Sequence, residues 1–95
     1  MKLIVSRAAL ADLERLQAFL AGKDLNAAQR AVSGIVSAID SLVVFPDRGH
    51  PAGLAGTRDL FVPFGRSAYI VRFAHDLQRG EIVILRIWHG REARE

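Results

Sequence analysis

Ninety-five residues with 51% hydrophobic and 24% charged side chains make one globular domain, residues 1–95, with room for a single core. The absence of cysteine excludes disulfide scaffolds, thiolate zinc sites and cysteine nucleophiles, and it fits a reducing cytoplasm. The net charge of +3 comes from the second half: residues 1–47 hold five basic and five acidic groups, residues 48–95 eight arginines against five acids.

Lys2 to Val5 reads as a short strand, and Leu3-Ile4-Val5 is far too brief for a signal sequence. No apolar run reaches the length of a membrane span, so a soluble cytoplasmic protein is expected. Ser6 suits the N-cap of a first helix whose Ala9, Leu13, Leu16 and Leu20 share one face, with Gly22 as its stop. Asp24 or Asn26 caps a second helix, in which Ala28, Val32, Ile35, Ile39 and Leu42 form the apolar stripe. Gly34 inside that stripe points to a close crossing of the first helix. Pro46 stops the helix near Val44.

Residues 46–56 hold three glycines and two prolines in a turn-rich loop. Strands are expected at Thr57–Val62, Ala68–Ala74 and Glu81–Trp88, joined by short glycine-containing turns. The predicted fold is therefore α+β in the order β-α-α-β-β-β. A helical hairpin packs on a mostly antiparallel four-stranded sheet. In the last strand, simple alternation sets Ile82, Ile84, Arg86 and Trp88 against Val83, Leu85 and Ile87. If the hairpin covers the aliphatic trio, Arg86 and Trp88 face the other way, beside the His89-Gly90-Arg91 exit. Phe19, Phe45, Phe73 and Tyr69 are expected in the core, with Trp88 and Phe64 partly exposed. Loss of the tail 90–95 is expected to remove little core.

Arginine outnumbers lysine eleven to two, which points to an anionic partner, either a nucleic acid or an acidic protein segment. Arg86, the one charge between Ile82 and Trp88, either forms a structural ion pair or lines a working edge with His89 and Arg91. His50, His75 and His89 lack metal-site spacing, and no phosphate-loop or dinucleotide fingerprint is present. No metal and no cofactor are expected. A metal-free ribonuclease needs a base, an acid and cations for the phosphorane. Arg58, Arg66, Arg86 and His89 supply the cations and the acid, and only Asp47, Asp59 or His50 is available as base. Trp88 between Arg86 and Arg91 could instead form a binding hot spot.

Ser6-x5-Asp12-Leu13, then Ile39-x2-Leu42-x2-Phe45-Pro46-x2-Gly49-x-Pro51, then Ile84-Leu85-Arg86-Ile87-x-His89-Gly90-Arg91 together resemble the ParE-type toxins of the ParE/RelE superfamily. The resemblance runs through nearly the whole chain. It implies the toxin of a type II toxin–antitoxin pair, held by an acidic or ribbon-helix-helix antitoxin in a hetero-oligomer. ParE-type members poison DNA gyrase, whereas RelE-type members cut mRNA on the ribosome. His89 falls near the catalytic histidine of some mRNA-cutting members, and Arg58 near a basic strand residue. Gly90 stands where some of those carry tyrosine, Ala68 where an arginine would open the middle strand, and no glutamate base is evident. Val71 departs from the aromatic usual in the ParE middle strand. The resemblance thus favours a gyrase inhibitor over a ribosome-dependent endoribonuclease, and an inactive member that only binds antitoxin stays open beside the first reading. Arg58, Arg66, Arg72, Arg86, Trp88, His89 and Arg91 are the expected partner-binding residues.

Overall fold

Capping chemistry places the first three elements. In the computed structural model, which describes residues 1–92, β1 (Lys2–Val5) leads through Ser6 into α1 (Arg7–Ala21). Ser6 is extended, and its Oγ accepts the Ala9 N–H at 3.1 Å, satisfying a donor that the first turn leaves open. Gly22 closes α1, and Asp24 caps α2 (Leu25–Ser41) by accepting the Ala27 N–H at 3.2 Å. The second helix ends at Ser41, and the chain leaves it through turns over residues 42–44 ahead of Pro46.

The remaining elements are β2 (His50–Pro51), β3 (Thr57–Phe64), β4 (Ser67–Asp76) and β5 (Glu81–His89). They join β1 in one sheet of order β1-β5-β4-β3-β2, parallel only between β1 and β5. The α+β class and the helical hairpin are as expected, but the sheet has five strands rather than four. The addition is β2, whose two residues pair with Asp59 and Arg58. Two residues are too few to carry a period-two pattern, so this strand reads as loop in the sequence.

Both helices cover one face of the sheet. Ala9 and Leu16 of α1, with Ala31, Ile35 and Ile39 of α2 and Leu42 beyond it, meet Leu60 and Val62 of β3. They also meet Tyr69, Val71 and Phe73 of β4, and Ile82, Ile84 and Ile87 of β5. Burying an aliphatic side chain of this size contributes about 1.5–3 kcal/mol.

Four expectations are corrected here. The pairing of β4 with β5 passes from Arg72↔Arg86 to Phe73↔Ile84, so Leu85 is an extra residue in β5. This bulge breaks the alternation, and the helices cover Ile82, Ile84 and Ile87 rather than Val83, Leu85 and Ile87. Trp88 is buried, although Phe64 is partly exposed as expected. Phe19 and Phe45 lie outside the core at 63% and 60% exposure: Phe19 is off the stripe of α1 that meets the sheet, and Phe45 follows the turns beyond α2. Gly34 does not mark a helix crossing: a Cβ there would meet Val62 of β3 at 4.0 Å and nothing of α1.

Candidate functional site

The candidate site lies where β5 outruns its neighbour. β1 pairs with β5 only from Glu81 to Ile84, leaving the following backbone groups on that edge without a strand. The start of α1 takes over. Ser6 donates its N–H to the Ile84 carbonyl at 3.0 Å and its Oγ–H to the Leu85 carbonyl at 3.1 Å. Six residues further along α1, Asp12 Oδ2 accepts the Ile87 N–H at 2.8 Å. The Arg86 guanidinium closes onto the same carboxylate, with Nε–Oδ2 at 2.8 Å and Nη2–Oδ1 at 3.0 Å. The Ser6-x5-Asp12 spacing and Arg86 thus form one physical unit that seals the open edge of β5. Of the two readings of Arg86, the structural ion pair is the one the geometry displays.

Burial opposes ionisation of Asp12, whose side chain is only 6% exposed. Hydrogen bonds from Arg86 and the Ile87 N–H, with the charges of Arg86 and Arg15, nevertheless hold its carboxyl below the ordinary aspartate value. The folded value lies below the unfolded value of about 3.9. The stability this contributes is therefore present above the unfolded value and is lost as pH falls through the folded one. Urea unfolding below about pH 4 should show this decline, and Asp12→Asn should flatten it. An unchanged acid limb in the variant would contradict the assignment.

The other predicted residues divide into two groups. Arg72 is bidentate to Asp59 (Nε–Oδ1 2.8 Å, Nη2–Oδ2 3.0 Å), and its guanidinium lies 5.0 Å from the centre of the Trp88 ring. Arg58 reaches back to the carbonyls of Arg48 at 3.0 Å and Gly49 at 2.8 Å, tying the loop before β2 onto β3. These arginines, like Arg86, are committed to the fold. Arg66 projects from the β3–β4 turn, and Arg91 follows β5. Both are exposed, and among the described residues neither side chain has a hydrogen bond or ion pair.

Besides the Arg72–Trp88 contact, His89 and Arg91 of the predicted set come together. They line a groove of about 620 Å³ between α1 and the ends of β3, β4 and β5. Leu16, Phe19 and Leu20 of α1 form one wall, and Phe64 and Tyr69 the other. The rings of Phe64 and Tyr69 are tilted at 5.6 Å, and His89 meets Tyr69 edge-on at 5.2 Å. His89 Nδ1 accepts the Arg91 N–H at 3.1 Å, which leaves the ring proton on Nε2. Burial, and then the charge of Glu92, raise the Tyr69 hydroxyl above its usual pKa. Gly90 permits this exit: its N–H donates to the Ala68 carbonyl at 2.8 Å, and a Cβ would stand 3.1 Å from that oxygen.

Arg15 closes the rim, with Nη1 2.5 Å and Nη2 3.4 Å from the Glu92 carboxylate. Arg15, Phe19, Phe64 and Glu92 were not among the sequence-predicted site residues. A usable signal existed, since Asp12, Arg15 and Phe19 recur at spacings of three and four on one helical stripe. Among the described residues no cluster of three His, Asp or Glu side chains could hold a metal. No helix there is long and apolar enough to cross a membrane. Residues 93–95 of the tail considered above lie outside the described residues.

Two helices on one face of a mostly antiparallel sheet are also found in the solved chromosomal ParDE TA system from P. aeruginosa. That chain aligns with a TM-score of 0.77 and 29% identity, over 94% of this chain and 95% of its own length. The likeness sets the class, a component of a toxin–antitoxin system. The family model described as ParE toxin of type II toxin-antitoxin system, parDE, matches residues 3–94. Toxin RelE1 of Caulobacter vibrioides is 40% identical over 91 residues, covering 96% of this chain and 95% of its own. The chain belongs to the ParE toxin family and is the toxin of a type II toxin–antitoxin system.

Proposed function

We propose that this toxin acts in the cytoplasm by inhibiting DNA gyrase rather than by cutting RNA, and that the antitoxin its family implies neutralises it. One observation supports the non-catalytic reading above the others. Of the four residues a nuclease mechanism would use, Arg58 and Arg86 are bound into backbone and carboxylate contacts, and Arg66 does not line the groove that holds His89. The candidate base Asp59 is held by Arg72. Among the described residues, the groove that holds His89 offers Arg91 as an unengaged cation but none of the candidate bases Asp47, Asp59 and His50, and an acid so placed is a poor nuclease.

Induction without antitoxin should give filamentous cells and DNA-damage signalling while translation continues. Early loss of protein synthesis with cuts in mRNA would contradict this and establish the endoribonuclease alternative, in which His89 is the acid.

The same geometry redistributes the roles of the arginines toward an acidic antitoxin segment. Replacing Arg66 and Arg91 together should weaken antitoxin binding by about three- to tenfold with little change in melting. Single replacement of Arg58, Arg72 or Arg86 should instead lower stability. Unchanged affinity in the double variant would remove the electrostatic contribution from this account.

A further inference from the structure

We propose that Glu92 is an internal occupant of a carboxylate site on Arg15, and that an acidic antitoxin segment carrying an apolar anchor enters the groove by displacing it. The inference rests on the antitoxin reading above and assigns that partner a place and a competitor. The groove has the chemistry of such a segment: its walls are apolar and its rim is cationic. Arg15 and Arg91 flank it, and Lys23 lies 4.8 Å above the Phe19 ring. Among the described residues that line the groove, the one carboxylate is Glu92, which Arg15 grips with two nitrogens.

The tail is built to turn back. Gly90 is anchored to Ala68, and the Glu92 N–H donates to the His89 carbonyl at 2.9 Å, bringing the carboxylate against α1. Arg15 also has Asp12 at 3.6 Å, so it remains directed along that face when Glu92 leaves. With side-chain exposures of 48% and 29%, the Arg15–Glu92 pair is of the solvent-reached kind that exchanges readily. Phe19, more than half exposed beside it, is the apolar surface that an anchor would cover.

The test is titration of the full-length toxin with the antitoxin encoded beside it, and with a peptide of that antitoxin's C-terminal segment. Glu92→Gln removes the competitor and should tighten binding about two- to fivefold. Arg15→Gln removes the site and should weaken binding by about fivefold or more. The double variant should match Arg15→Gln alone. Glu92→Gln that weakens binding or leaves it unchanged would overturn the proposal while the antitoxin reading stands. If the antitoxin itself fails to bind the unaltered toxin, that reading falls and the proposal with it. Opposite effects of the two variants seen with gyrase or in self-association, but not with the antitoxin, would overturn the occupant named here. Should Arg15→Gln fold poorly in thermal melts, the sign of the Glu92→Gln effect decides the matter alone.

Discussion

Asp12→Ala is expected to destabilise the domain by about 2–4 kcal/mol, a large fraction of the roughly 5–15 kcal/mol available to a protein of this kind. Three interactions disappear together. The Ile87 N–H loses its acceptor, Arg86 loses its bidentate partner, and α1 loses its polar tie to β5 beyond the end of β1. An orphaned buried amide alone costs about 1–3 kcal/mol. The loss stays below the upper range for buried ion pairs, because the Arg86 side chain is 41% exposed and can turn to water. Thermal melting should fall by roughly 10–20 °C. Asp12→Asn, which can still accept the Ile87 N–H, should lie between the two. A melting point for Asp12→Ala within a degree or two of the parent would contradict the role given to this carboxylate.

Gly49→Ala is expected to be comparably damaging, by about 2–4 kcal/mol. Gly49 has φ +86°, which an L side chain adopts only under strain, and a Cβ there would stand 2.5 Å from the Asp59 carbonyl oxygen. Backbone on the facing strand cannot swing aside like a flexible side chain. The turn positions β2 against β3 and is held by Arg58, so its distortion should loosen one edge of the sheet. Chemical denaturation should show a lower midpoint, with hydrogen exchange accelerating first at His50–Asp59. A normal midpoint in Gly49→Ala would mean that the loop relocates freely and that its contact with β3 is incidental.

These two residues also show how much of the molecule was legible beforehand. Helix caps and apolar spacing announced α1, α2 and the three long strands, because each depends on chemistry within a few residues. Gly49 and Asp12 were visible only as spacings within a family resemblance. Their reasons are contacts across the fold: Gly49 against Asp59, and Asp12 against residues 74 and 75 positions away. The bulge at Leu85 was hidden for the same reason, since a one-residue excess against β4 leaves no mark on the composition of β5. It reversed the expected faces of Ile82 and Ile84 against Val83 and Leu85, while Ile87 stays toward the helices and Trp88 stays on the opposite face, where it is buried beside Arg72 rather than exposed.

The candidate site was half legible. His89 and Arg91 are neighbours in sequence and share the groove, but Arg15 reaches it from α1 and Tyr69 from β4. Arginine content pointed correctly to charge and poorly to which charges are available. Arg58, Arg72 and Arg86 are each engaged by groups that only folding brings near.

The most direct measurement sets purified toxin against its two possible targets in parallel. One reaction contains gyrase, relaxed plasmid and ATP, and the other translating ribosomes on a defined mRNA. The account predicts loss of supercoiling in the first, restored by antitoxin, and intact message in the second. Ribosome-dependent cuts that vanish in a folded His89→Ala variant, with supercoiling undisturbed throughout, would contradict it.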